Sequence, residues 1–323
     1  MKQTIGERQR WAWLAAGLSA AAATGVCGYG WLWVLLGGLA AAGYYIIMDQ
    51  SVPPEGMANL YGRLGRGGKI LLCLTGLWTV LVLSWTACLA DAAFPMVDGF
   101  PGLGWALLAL TAWGGQKGSA ACARCGGVLC LFLLVLYGII GIFAVPDVRG
   151  TYLLPGGQWQ ESVWTLGLFL LPAGVWFVPC TRSRKGPAWQ MAFLLPLFGT
   201  FLAAVTAGVL SPELAARRTV PLYDLAKSVS IFGVVERIEP LLSAAMTMGV
   251  FSLMSSLVCS GQAIGEPLGI GARSGIVICA LAGVGMYLVR SWPAEWIASG
   301  SAIFWLAIPA LVMIFSPREE KRL

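Results

Sequence analysis

Asp91 is the clearest ionisable side chain inside an apolar run of this sequence, in CLADAAF near the outer end of the third such run. A carboxylate in hydrocarbon is costly, so it belongs in a wet cavity, beside a partner, or at the interface. Asp91 is therefore a possible ion or proton site, or it marks a helix end, as Pro95 four residues later also allows. Two other stretches could act through their backbone. TGVCGYG, Thr24 to Gly30, and LLPAGVWFVP, Leu170 to Pro179, carry glycines and prolines inside apolar runs. Helix breakage there frees N–H and C=O groups that a neighbour, a cavity or a ligand must satisfy. Secondary transporters place such breaks at corresponding positions of two repeats, with the substrate held at the bared backbone. Thr24, Gly25 and Gly28 in the first run, with Pro172 and Gly174 in the sixth, are candidate ligand-binding residues on that ground. Taken singly, each stretch is equally a turn or a proline kink.

Several chemistries are disfavoured. The chain has no histidine, which removes histidine metal sites, Ser-His-Asp triads and histidine proton relays. Cys122 and Cys125 form a CxxC pair with no second pair and no histidine to complete a metal site, so no metal is expected. The nine cysteines lie mostly in apolar runs and read as buried free thiols. There is no phosphate-cradling or dinucleotide motif and no group of convergent polar residues. The expectation is a non-enzyme without cofactor.

The elements that must position these residues are membrane spans. Hydrophobic residues make up 58% of the 323 and charged ones 11%, with mean hydropathy +0.77. That composition predicts an all-α integral membrane protein, one polytopic domain over 1–323. Ten spans are expected, at 11–27, 31–48, 70–94, 102–114, 123–145, 162–180, 189–210, 238–260, 269–289 and 296–315. The first two are joined only by CGYG, which demands a tight hairpin or a single long broken helix. With both termini cytoplasmic, 15 of the 21 lysines and arginines fall on inner segments, Arg10 among them. The net charge of +6 thus argues orientation and lipid contact rather than nucleic-acid binding. Six tryptophans near span ends suit the interface, and small-residue spacings such as that around Gly283 permit close helix packing.

The same topology puts Ser211–Glu239 outside. Within it, Leu222, Leu225, Ala226 and Val229 share one helical face and Asp224, Lys227 and Ser228 the other, an amphipathic helix lying flat. Glu236 and Arg237 stand at the threshold of the next apolar run.

This stretch, SPELAARRTVPLYDLAKSVSIFGVVERIE, resembles the connector between the seventh and eighth helices of the spore germination permease family, with Pro221, Glu236 and Arg237 in place. Those proteins are B subunits of nutrient germinant receptors, within the amino acid–polyamine–organocation superfamily. QKGSAACARC is similar to the family's entry to the fifth helix, through Lys117, Gly118 and Arg124. VPDVRGTYLLP resembles the loop that follows that helix, and IGERQ the family's N-terminal start.

The resemblance implies a leucine-transporter-like fold of two five-helix inverted repeats: repeat one at 11–145, repeat two at 162–289, and a last helix at 296–315. It implies a nutrient site, for an amino acid, between broken helices one and six, with Trp176 at a position where the family often carries glutamate. It also implies A-type and C-type receptor subunits as partners, residence in a bacterial inner membrane of cell or spore, and a lid over 211–237 with Glu236–Arg237 as its hinge-side pair. Two departures mark a divergent, shortened member: CGYG replaces a longer segment after helix one, and the sixth-helix glutamate is absent. Three roles follow as expectations: nutrient sensing with signalling to partner subunits, secondary amino acid transport, or a structural partner that has lost its ligand.

Overall fold

The computed structural model describes residues 4–24, 26–92, 102–154, 157–181, 190–218, 220–228, 239–270 and 274–315. They are nearly all helical. In chain order the helices are α1 (Glu7–Thr24), α2 (Trp31–Ser51), α3 (Met57–Arg63), α4 (Gly65–Ala92), α5 (Leu103–Lys117), α6 (Ser119–Ala144) and α7 (Gln160–Phe169). There follow α8 (Gln190–Leu210), α9 (Pro212–Arg217), α10 (Pro221–Ser228), α11 (Glu239–Gly265), α12 (Ser274–Val289), α13 (Ala294–Ala302) and α14 (Ile308–Phe315). A helical element overlies each of the ten apolar runs. Among the described residues, six segments are long and apolar enough to cross a membrane: Trp31–Ser51, Gly65–Asp91, Ser119–Asp147, Gln190–Leu210, Pro240–Leu268 and Ala294–Phe315.

The burial pattern is that of a protein solvated by lipid. On α6, Val128, Leu131, Val135 and Ile142 are exposed at helical spacing, while Gly126, Cys130, Leu133, Tyr137 and Ile140 are buried on the opposite side. Both faces are apolar, so water cannot be the solvent of the outer one. Leu281, Val284 and Leu288 make a similar outer stripe on α12. The protein is an integral membrane protein.

Two helices form the centre. α1 lies between α6 and α11, and its buried residues, among them Trp11, Trp13, Leu14, Ala16 and Leu18, run round its circumference. α11 is flanked by α4, α5, α6 and α12. α2 packs on α7 and α8, and α13 on α7. Glycine makes some of these approaches possible. A Cβ on Gly167 of α7 would fall 1.9 Å from the Ala298 carbonyl oxygen, and one on Gly283 of α12 would fall 2.2 Å from the Trp105 ring.

The connection between the first two helices is a hairpin turn. α1 runs unbroken to Thr24, a single 3₁₀ turn covers Val26–Gly28, and α2 begins after Gly30. α2 then returns to where α1 started, because Arg10 near the start of α1 bonds Asp49 near the end of α2. The Glu161 carboxylate fixes the turn by accepting from the Gly30 N–H at 2.7 Å. An expected break inside helix one is therefore replaced by a turn at its end. The helix keeps its ladder for 18 residues, a rise of about 27 Å, and the glycines of CGYG fall in the turn rather than inside it.

A small element was not anticipated. Ile5–Gly6 (β1) pairs in parallel with Cys180–Thr181 (β2), joining the chain's start to the end of the sixth apolar run. Thr181 Oγ1 donates to the Ile5 carbonyl at 3.2 Å, and the Cys180 N–H donates to the Pro54 carbonyl at 2.8 Å.

Candidate functional site

The sixth run does lose its α-helix in the middle of the bundle. α7 ends at Phe169, Leu171–Phe177 is a 3₁₀ stretch, and the backbone is extended from Val178. Pro172 lacks the N–H that would continue the ladder. Every residue from Leu171 to Phe177 is buried, against α11 on one side and α1 on the other. Gly174 permits the approach to α11, since a Cβ there would lie 2.7 Å from Ser260 Oγ. Pro172 meets the middle of α1, its Cβ 3.1 Å from where a Cβ on Gly17 would stand.

The freed backbone has identifiable partners. Tyr45 on α2 donates its hydroxyl to the Phe169 carbonyl at the end of α7. Its neighbour Tyr44 donates to the Trp305 carbonyl. Trp305 sits in a π-helical turn, Ile303–Ala307, between α13 and α14, where the shifted ladder leaves carbonyls to be satisfied elsewhere. Adjacent tyrosines thus cap bared carbonyls on two different elements.

Around this junction is an aromatic cluster with one buried cation. Trp11 meets Trp176 edge-on with centroids 5.9 Å apart, and Tyr45 lies 6.2 Å from Trp11 and 6.4 Å from Trp176. Phe177 joins Trp305 at 5.9 Å and Tyr61 at 5.6 Å. The Arg10 guanidinium lies 3.9 Å from the Trp176 ring centroid while Nη2 donates to Asp49, whose side chain is 12% exposed. The pair ties α1, α2 and the interrupted segment together at one end of the bundle. Buried with excellent geometry and a stacking partner, such a pair is destabilising chiefly when one member is removed.

The candidate residues separate into three places. Pro172, Gly174 and Trp176 belong to the central junction. Thr24 closes α1, Gly25 lies outside the described residues, and Gly28 ends the 3₁₀ turn. A Cβ on Gly28 would face the Ala215 carbonyl oxygen of α9 at 3.3 Å rather than the sixth run. Pro172 instead meets Gly17, about 10 Å along α1 from Thr24 at the helical rise. Among the described residues the two interruptions lie apart, with α1 unbroken from Glu7 to Thr24 between them.

Asp91 is elsewhere again. Its carboxylate accepts from the Gly104 N–H at 2.9 Å, capping the start of α5, where a negative charge is favoured by unpaired amides and the helix dipole. Cys122 is buried and Cys125 exposed. Pro221 is buried at the start of α10, which packs on α1, α8 and α11 through Leu222, Leu225 and Ala226 while Lys227 and Ser228 face out. Arg218 and Asp224 form an ion pair there at 3.2 Å. Glu236, Arg237 and Val229 lie outside the described residues.

Arg10, Trp11, Asp49, Tyr44, Tyr45 and Trp305 were not candidates on sequence. Arg10 reads there as a flanking inner charge, and the structure buries it to 5% exposure. The only local signal is that Arg10 and Asp49 sit at the outer edges of two consecutive apolar runs joined by a turn, which would bring them level in a hairpin.

No family model matches the chain, and no curated protein does. Among solved structures, the chain is similar to MHP1, a nucleobase-cation-symport-1 family transporter, in a closed conformation with bromovinylhydantoin bound. The TM-score is 0.62 at 14% identity, over 97% of this chain and 78% of that one. At that identity the likeness concerns the fold: this chain folds as a membrane transporter does.

Proposed function

We propose that this chain is a permease-like protein that recognises a small nutrient at the interrupted sixth helix and signals its presence to partner subunits. The observation that carries the reading is the seven-residue non-α stretch Leu171–Phe177, wholly buried between α1 and α11 in a transporter fold. Irregular backbone at the centre of a membrane bundle is tolerated where it is enclosed by protein, and transporters hold their solutes at such places. The finer assignment, a B subunit of a nutrient germinant receptor with A-type and C-type partners in a bacterial inner membrane, rests on the sequence resemblance. In that reading the ten helical elements are ten crossings in two inverted repeats, α9 and α10 form an outer lid, and the nutrient is an amino acid.

Secondary transport of an amino acid is the second reading, favoured by the likeness to a cation symporter. One experiment separates the two. The purified chain is reconstituted into proteoliposomes and challenged with labelled amino acids under sodium and proton gradients, with thermal unfolding followed in parallel. Sensing predicts a saturable rise in Tm with no accumulation. Symport predicts gradient-driven uptake. A panel of amino acids that gives neither defeats both.

A further inference from the structure

The central junction holds an excess of hydrogen-bond donors. The indole N–H groups of Trp11, Trp176 and Trp305 and the Nε–H of Arg10 are buried and find no acceptor among the described residues. None is exposed above 5% as a residue. Indole and guanidinium groups can only donate, so none of these four can satisfy another. Two acceptors that the interrupted helices release nearby are engaged already: the Phe169 carbonyl by Tyr45, and the Trp305 carbonyl by Tyr44. A buried donor left unpaired costs about 1–3 kcal/mol, and a site with several is unusual in a native protein. Trp13, two residues further along α1 than Trp11, shows the ordinary state of affairs, since its N–H reaches Ser255 Oγ at 3.2 Å and the Ser252 carbonyl at 3.3 Å.

The four donors gather on one feature. Arg10 and Trp11 lie against the Trp176 ring, and the Trp305 ring stands 3.4 Å from where a Gly174 Cβ would be. We infer that this junction binds a small molecule through an oxygen acceptor, a carboxylate or carbonyl head received by the indole N–H groups of Trp11 and Trp176, with the aromatic faces taking its apolar remainder. The inference rests on the permease reading and names the chemical class of its ligand. It disfavours amines that carry no acceptor, because the four unpaired groups are all donors and the Asp49 carboxylate is already engaged by Arg10. The indoles are closed on one another in this structure, so entry displaces them, and intrinsic tryptophan fluorescence reports it.

The test uses the full chain in detergent or nanodiscs and four three-carbon probes: propionate, propionamide, alanine and propylamine. Fluorescence titration and Tm shift are expected to show binding by alanine and by at least one of propionate and propionamide, and none by propylamine. Binding by propionate without propionamide assigns a carboxylate, and binding by both assigns any carbonyl oxygen. Trp176→Phe keeps the ring and removes the N–H, and is expected to weaken binding about five- to tenfold, the worth of one hydrogen bond. Trp11→Phe serves the same purpose should the first variant fold poorly. Trp13→Phe, which removes a donor already engaged within the protein, leaves the affinity unchanged. Propylamine binding as tightly as propionate, or an unchanged affinity in both Trp176→Phe and Trp11→Phe, overturns the acceptor assignment and leaves the permease reading standing. Failure of all four probes overturns this inference, while the amino acid panel in proteoliposomes decides the permease reading separately.

Discussion

Residues 24–30 and 170–179 look alike as sequence and differ in structure. Both put glycine or proline inside an apolar run. The first became a 3₁₀ turn at the end of α1, beside α9 and tied to the start of α7 through Glu161. The second became a 3₁₀ stretch in the middle of the bundle, enclosed on all sides. Composition announces that an α-helix stops. It does not say how deep the stop lies, because depth depends on where the chain goes next. After Gly30 the chain turns back as α2, whereas after Phe177 it continues extended and is held by a strand pair with the N-terminus.

The largest effect that would break this contrast concerns the ion pair anchoring the central segment. Asp49→Ala leaves the buried Arg10 without its hydrogen-bonded carboxylate, and is expected to cost about 3–5 kcal/mol in thermal or denaturant unfolding. The double variant Arg10→Met with Asp49→Leu should recover most of that loss. A cost no greater than that of an exposed pair would mean that this end of the junction is wet.

A smaller effect compares the two interruptions directly. Gly174→Ala brings a Cβ to 2.7 Å from Ser260 Oγ and should cost about 1–3 kcal/mol while shifting the ligand dose–response. Gly28→Ala comes no nearer than 3.3 Å to its neighbour, the Ala215 carbonyl oxygen, and should cost less than about 1 kcal/mol, with the response unchanged. Equal shifts in ligand response from both variants would join the two stretches into one site after all.

The smallest effect sharpens what lies outside the junction. Asp91→Ala removes a helix cap and should lower stability by about 1 kcal/mol without altering ligand response. Ion-dependent binding or uptake that disappears in Asp91→Ala would restore that carboxylate as an ion site.

Much of the helix order was legible in advance, since each apolar run corresponds to a helical element and α10 buries the face that its spacing predicted. A run of about 20 apolar residues has few alternatives in lipid, so local composition suffices there. The loss of helix at Pro172 and Gly174 was legible for the same local reason. The membership of the junction was not. Arg10 pairs with a residue 39 positions on, Tyr44 with one 261 positions on, and Tyr45 with one 124 positions on. Nothing near Trp305 in sequence foretells a π turn, and nothing near Asp91 says that its oxygen will reach the start of the next helix.

A helical membrane protein, the order of its helices and the point where the sixth one fails were all readable from local sequence, because each follows from hydrophobicity, periodicity and backbone freedom within a few residues. Tertiary packing was needed for the rest: helix one runs unbroken to a hairpin, Asp91 caps α5, and tryptophans gather around a buried arginine where the interrupted segment meets one end of the bundle. Those are matters of which distant groups are left facing one another when water and lipid are excluded, and no local stretch of chain carries that information.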